Sequence, residues 1–384
     1  MTAEKVRLNL GAGDSVLDGY ISIDRKIGSE VYPLGYKDES VDEVYASHVL
    51  EHFGAGETEK VLSEWFRVLK PGGVIRVGVP DFKIIAKAYV EGVDLGFPIG
   101  SLLMGGQIDE NDFHKTIFDE SGLRVLMEKA GFVGVKRFTP MHPDTTTNPC
   151  SLNLEAVKPV KPDNIGDRCI VCMTMPRLNW TYNRELCTSV CVELKIPFFN
   201  TSGAYFDQGM ERALEHAKAT GREYIITIDY DTVFTAADVV RLITLMDLYP
   251  EADAIAANQA KRGSEGLSLL GRYKPITNDE ANADLIHIDS GHFGLTVIRS
   301  SVLDKMSKPW LHHKPGKDGW GEDRIDADVN FWLKMNEVGR VFLAPAVNIG
   351  HLQVMVSWVD MSWNVIHQHQ DEYKRIGKPR TVRG

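Results

Sequence analysis

Two carboxylates one residue apart, Asp229 and Asp231, close the apolar run Tyr224-Ile-Ile-Thr-Ile. Side chains alternate along a strand, so an i, i+2 pair at its end points to one side. Like charges held that way repel, and a divalent cation relieves the repulsion while it bridges a diphosphate. A second constellation lies near the start, where Leu8-Asn9-Leu10 runs into Gly11-Ala12-Gly13, and Ile23-Asp24 follows about eleven residues on. Glycines directly after a strand let the backbone approach a ligand, and open α/β sheets bind ligands at that edge. A carboxylate ending the next strand can accept both hydroxyls of an adenosyl ribose. Five cysteines, at 150, 169, 172, 187 and 191, offer a third possibility. The first close pair sits in the strand-like run Cys-Ile-Val-Cys-Met without a turn glycine and the second at i, i+4 of a helical stretch, so buried reduced thiols are expected rather than zinc.

The elements that must position these groups alternate. Strand-like runs VRLNL, YISID, VDEVYAS and VIRVGVP occur before residue 157. Between them ETEKVLSEWFRVLK places apolar residues at 61, 62, 65, 68 and 69 and stops at Pro71-Gly72-Gly73. The alternation predicts a parallel sheet with helices on both faces. Residues 158–167 hold two prolines, a glycine and mixed charges without periodicity, and read as a linker. A second α/β alternation follows through RCIVCMTMP, IPFFNTS, EYIITIDYD, ADAIAANQA, LIHIDSGHFGLTVIRS and VFLAPAVNIGHL, with MERALEHAKATG and AADVVRLITLMDLYP as helices. The tail VSWVDMSWNVIHQHQDEYKRIG is expected to form an amphipathic terminal helix. The organisation is thus 1–157, a linker 158–167 and 168–384.

The ordered pieces LNLGAG, ISID, VDEVYASHVLEHF, EWFRVLKPGGVIRVGVPDF and EKAGF make residues 6 to about 140 resemble the class I S-adenosylmethionine-dependent methyltransferase family. The resemblance implies a Rossmann-like domain whose cofactor pocket is lined by Gly11, Gly13, Asp24 and the edge of the fourth strand around Ser47 and His48. Many members carry a third small residue in the loop and an acid before it, where this chain has Asp14 after Gly13 and Asn9 ahead of Leu10. Methyl transfer requires mainly alignment of donor and acceptor, with a base needed only for a hydroxyl acceptor. His48, His52 and His114 are the candidates for that base, His114 first, each weighed against a structural role. Asp81 is a further option, although an acid after a strand is commonly a helix cap.

The order of pieces from 168 to about 352 resembles the GT-A glycosyltransferase family. These are a first strand, a D-x-D, the acid and glycine segment Asp318-Gly-Trp-Gly-Glu322-Asp323-Arg-Ile-Asp326-Ala-Asp328 before a helix, and a late histidine. That resemblance implies that Asp229 and Asp231 hold Mn²⁺ or Mg²⁺ and the phosphates of a nucleotide-diphosphate sugar, with His351 as a further metal ligand. Thr174, Pro176 and Arg177 would lie by the base and ribose. Asp323 is the expected general base, with Glu322 and Asp328 as alternatives. Asp328 could equally cap a helix beginning near Val329, and Asp326 reads as a solvated face residue. The segment Asp289-Ser-Gly-His-Phe-Gly294 suits either a sugar-binding floor or a packed bulge. Trp310 and Trp320 could stack on sugars or fill the core.

The net charge of -10 disfavours broad binding to nucleic acid. MTAEKVRLNL has no apolar signal region and no run reaches membrane-spanning length, so the expectation is a cytoplasmic protein. The leading reading is a bifunctional transferase acting on a glycan or polysaccharide acceptor. The alternatives are an active glycosyltransferase with a degenerate methyltransferase-like docking domain, modification of nucleic-acid bases, and a non-catalytic carbohydrate-binding protein.

Overall fold

The structure is a computed structural model that describes residues 5–159, 165–175, 181–203, 205–259, 280, 283–317, 319–321, 324–352, 355–359, 365–377 and 379. The chain divides into two compact units, residues 1–161 with 282–284, and residues 162–281 with 285–384.

The first unit is built on strands β1 (Arg7–Leu10), β2 (Ile21–Ile23), β3 (Val41–Ser47), β4 (Leu69–Pro80), β5 (Val133–Arg137) and β6 (Ser151–Val157). They lie in the order β2-β1-β3-β4-β6-β5. The first four are mutually parallel, whereas β6 runs antiparallel to both β4 and β5. The expected parallel sheet is therefore mixed. β6 follows β5 directly and pairs beside it antiparallel, a connection that needs no crossover helix. Helix α1 (Ala55–Val68) turns Val61, Leu62, Trp65 and Val68 inward. It ends before the proline and glycines expected to stop it, because Leu69 is extended and pairs with Val41 at an irregularity of the sheet. Helices α2 (Phe82–Glu91), α3 (Ile99–Met104) and α4 (Glu120–Lys129) complete the unit. Asp81 caps α2 by accepting from the backbone N–H of Lys83 at 3.0 Å, the cap role expected of an acid after a strand.

The second unit opens with the short helix α5 (Ile165–Arg168), which overlaps the end of the stretch expected to be a linker, and β7 (Cys169–Met175). It continues through α6 (Thr181–Glu193), β8 (Phe198–Ser202), α7 (Phe206–Ala219), β9 (Tyr224–Ile228), β10 (Thr232–Val233), α8 (Ala236–Leu248) and β11 (Ala254–Gln259). After β12 (Ile286–His287) and β13 (Leu295–Arg299) come α9 (Ala327–Val338) and β14 (Val341–His351). The sheet order is β10-β14-β11-β13-β9-β7-β8, with β12 also on β14. Along β7 the side chains of Val171 and Met173 enter one core and those of Ile170 and Cys172 the other. That accounts for its continuous apolar sequence, since a central strand between two layers has no polar face. All five cysteines are free and buried.

The terminal segment departs from the expected helix. β15 (Met355–Val359) and β16 (Val365–His369) pair antiparallel, and among the described residues of the tail only Gln370–Ile376 is helical, as α10. Val, Trp and Ile at alternating positions favour extended backbone, and Trp358 donates from Nε1 across the pair to Gln368 at 3.0 Å. Among the described residues no helix is long and apolar enough to cross a membrane.

Candidate functional site

In the first unit, β1 and β2 end side by side because Leu10 pairs with Ile23. Gly11 then donates its N–H to Ile23 O at 2.8 Å, folding the loop over the end of β2. Asp24 reaches back so that Oδ2 accepts from Gly13 N at 2.8 Å, while Oδ1 accepts from Lys26 N at 2.8 Å. Each carboxylate oxygen keeps lone-pair capacity for a further donor. The two glycines serve differently. Gly11 (φ +64°) leaves no room for a Cβ, which would lie 2.4 Å from Val49 Cγ2, whereas Gly13 (φ +53°) has nothing within 4 Å. Gly13 is thus the open face of the loop, and Gly11 is the position where the loop packs on the residue after His48. Gly11→Ala should destabilise the protein by about 3 kcal/mol and Gly13→Ala by about 1 kcal/mol, since only the first adds a clash to the left-handed backbone. Urea unfolding of the two variants checks the order.

Ser47 and His48 sit at the end of β3, the third strand along the chain instead of the fourth. Ser47 Oγ is 2.6 Å from Thr145 Oγ1. His48 is held in the left-handed region (φ +55°), with Nε2 3.0 Å from Ser151 Oγ and Nδ1 3.3 Å from Glu51 Oε1. His114 lies on a loop tied to the turn Leu50–His52, because Lys115 N donates to Glu51 O at 2.7 Å. Its Nδ1 is 3.1 Å from Leu102 O and its Nε2 4.0 Å from Glu51 Oε1. Burial pushes the His114 imidazole below its ordinary value against the opposing pull of Glu51. The histidine chosen as a base thus faces a buried acid that sequence reasoning passed over. The signal was present as Glu51-His52, but nothing in one strand and turn announces that His114, 63 positions on, closes against it.

In the second unit, Asp229 and Asp231 follow β9 in a turn closed by Thr232 N donating to Asp229 O at 3.2 Å. Thr232 pairs with His351 across β10 and β14, and Leu352 N donates to Asp231 O at 2.7 Å. These backbone bonds bring His351 Nε2 to 3.4 Å from Asp231 Oδ1, with Asp231 buried and His351 mostly so. Asn183 of α6, absent from the sequence reasoning, clamps the turn from behind through Nδ2 to Asp229 O at 3.1 Å and Thr232 O at 2.6 Å. A polar residue in a helix carries no mark of that role until the helix is docked.

The other expected residues divide. Pro176, Arg177, Glu322 and Asp323 lie outside the described residues. Thr174 is buried, its Oγ1 2.7 Å from where a Cβ on Gly209 of α7 would stand, so it packs β7 on α7. Asp328 is not the cap. It is exposed within the first turn of α9 and accepts from Val329 N at 2.8 Å, because the helix begins at Ala327 and Asp326 takes the cap position. Asp326 also lies 3.1 Å from Arg324 and 3.6 Å from His313. Trp310 is core and Trp320 is exposed. The Asp289–Gly294 segment is packing: His292 is buried, with Nε2 2.7 Å from Ala257 O and Nδ1 accepting from Gly294 N at 2.9 Å.

Residues 23–77 match a family model described as a methyltransferase domain, a stretch that runs from the end of β2 through α1 into β4. The matched stretch lies within the first unit. No curated protein matches the chain. Among solved structures, A197 from STIV is similar at 15% identity over 52% of this chain and 95% of that one, with a TM-score of 0.37. An S-adenosylmethionine-dependent methyltransferase from Archaeoglobus fulgidus is 15% identical over 41% of this chain and 87% of its own, with a TM-score of 0.28. A possible histamine N-methyltransferase from Thermotoga maritima is 20% identical over 40% of this chain and 83% of its own, with a TM-score of 0.28.

Proposed function

We propose that the first unit transfers a methyl group from S-adenosylmethionine. The observation that carries this is the bond between Asp24 and Gly13, which sets a carboxylate with spare acceptor capacity beside an open glycine loop, inside the chain segment that precedes and enters the methyltransferase match. The residues fit the cofactor. Asp24 would accept the ribose hydroxyls, the open face at Gly13 would admit the adenosyl group, and Ser47 and His48 would border it on the β3 side. S-adenosylmethionine supplies the electrophilic methyl group, and the protein's part is to align an acceptor with it. Calorimetric titration of the full chain with S-adenosylmethionine tests this. Wild type should bind, and Asp24→Ala should weaken binding about 10- to 100-fold, the value of one or two hydrogen bonds to a charged acceptor. Absence of binding to wild type would reject the reading and leave the unit a docking module.

A second reading concerns the second unit, which we infer to be a metal-assisted transferase of a sugar from a nucleotide-diphosphate donor to a glycan. Its support is the 3.4 Å approach of His351 to Asp231, two groups 120 positions apart that the resemblance to GT-A enzymes had paired as ligands. One imidazole and neighbouring carboxylates suit Mn²⁺ and accommodate Mg²⁺. Asp229, Asp231 and His351 would hold the ion, which when bound offsets charge on the leaving diphosphate. Asn183 holds the turn that carries both acids.

A further inference from the structure

We propose that Glu51, His52 and His114 form a binding site for a first-row divalent transition-metal ion in the first unit, separate from Asp229, Asp231 and His351. Glu51, His52 and His114 each place one ligand atom within 4.8 Å of the others. Among the described residues this is the one group of three or more metal-ligating side chains that closes so tightly.

The chemistry of the three groups is unresolved without a cation. The Glu51 side chain is 1% exposed, and neither of its oxygens accepts a hydrogen bond. His48 Nδ1 approaches Oε1 at 3.3 Å without hydrogen-bond alignment, so the desolvation cost of the buried acid is offset only in part. His52 and His114 do not supply the missing donors. His52 Nδ1 lies 3.2 Å from Phe113 O and His114 Nδ1 lies 3.1 Å from Leu102 O. A carbonyl oxygen only accepts, so each Nδ1 carries the proton and each neutral ring keeps its lone pair on Nε2. The His114 Nε2 lone pair then faces Glu51 Oε1 at 4.0 Å, acceptor against acceptor. Backbone carbonyls that fix the tautomer and orientation of two rings around a carboxylate are the outer shell that metal-binding histidines require.

The scaffold is held before any ion arrives. Lys115 N and Thr116 N both donate to Glu51 O, at 2.7 and 3.2 Å, and His114 N donates to Met104 O at 3.1 Å. Two imidazoles and one carboxylate select Zn²⁺, Co²⁺, Fe²⁺ or Mn²⁺ over Mg²⁺ and Ca²⁺, which prefer all-oxygen shells. Three protein ligands leave positions for water or for an oxygen of a bound substrate. Cation binding here stands whether or not the unit transfers methyl groups.

The test uses the full chain carrying Asp231→Asn and His351→Ala, which removes the other candidate metal site. Titration with Co²⁺, read by visible d–d absorption, should show one ion per chain, and Zn²⁺ should displace it. Adding Glu51→Gln or His114→Ala should weaken Co²⁺ binding by about a hundredfold or more, since losing a direct ligand exceeds the ten- to hundredfold loss typical of an outer-shell partner. His52→Ala, at a partly exposed position, serves as the third variant if a buried substitution unfolds the unit by circular dichroism. No cobalt spectrum in the double-variant background, or a spectrum unchanged by all three additional substitutions, overturns the site and leaves Glu51 an ion-pair partner of the histidines.

Discussion

Asp231→Asn should lower metal-supported turnover of a nucleotide-diphosphate sugar by about a thousandfold, close to 4 kcal/mol of barrier. The substitution isolates charge from shape. The turn that carries Asp231 is fixed by backbone: Asp231 O accepts from Leu352 N at 2.7 Å, Thr232 pairs with His351, and Asn183 holds the carbonyls of Asp229 and Thr232. None of these bonds involves the carboxylate, so an amide of the same size leaves the turn where it is. What is lost is a negative ligand that is 2% exposed and 3.4 Å from His351, in surroundings where its charge is weakly screened. The assay is release of nucleoside diphosphate from a panel of nucleotide sugars with Mn²⁺ or Mg²⁺, repeated with a chelator. Turnover that survives both Asp231→Asn and chelation would remove the metal from the second unit's chemistry. Nucleotide binding without turnover, unaffected by Asp229→Ala and Asp231→Ala, would favour a carbohydrate-binding role.

Local pattern carried much of this architecture, and the failures have physical causes. The strand VDEVYAS, the inward stripe of α1 and the apolar strand β9 were readable because each is decided by side chains within one element, whereas the turn that carries Asp229 and Asp231 was expected as strand. The placement of Asp24 beside Gly13 was readable too, since two adjacent parallel strands bring their ends together whatever the rest of the fold does. The reversed direction of β6 was not, because an apolar run looks the same read in either direction. The terminal strand pair was missed because Trp, Val and Ile recur there at spacings that fit both a helix face and a strand face, and the choice falls to cross-strand partners such as Trp358 and Gln368. The sites failed where they depend on distance in sequence. Glu51 and His114 lie 63 positions apart, and Asn183 meets Asp229 from a helix 46 positions away. Asp328 failed for a smaller reason: α9 starts two residues earlier than expected, which moves the cap to Asp326.

His292 should make the second unit acid-labile well above the pH at which carboxylates titrate. Its ring is buried and satisfied only as the neutral tautomer, with Nε2 donating to Ala257 O and Nδ1 accepting from Gly294 N. A proton on Nδ1 would meet that N–H head-on. Burial first, and the neighbouring His351 with it, push the imidazole from 6.5 down to about 4, against the pull of the Ala257 carbonyl. The depressed value fixes the sign. Between the two values the unfolded chain binds more protons than the folded one, so stability is complete above 6.5 and is lost as the pH falls toward 4. Moving from about pH 7.5 to about pH 5 should therefore cost about 2 kcal/mol through this residue alone. His292→Asn removes the titration. It should lower stability at neutral pH by about 1 to 3 kcal/mol, through hydrogen bonds lost in the core, and flatten the acid limb by about 2 kcal/mol relative to wild type. Urea unfolding at the two pH values, followed by tryptophan fluorescence, reads the effect because Trp332 packs 5.0 Å from Phe293, next to the histidine. The comparison between variant and wild type cancels the carboxylates that titrate in both, so equal pH slopes would show that His292 takes up its proton in the folded chain as readily as in the unfolded one.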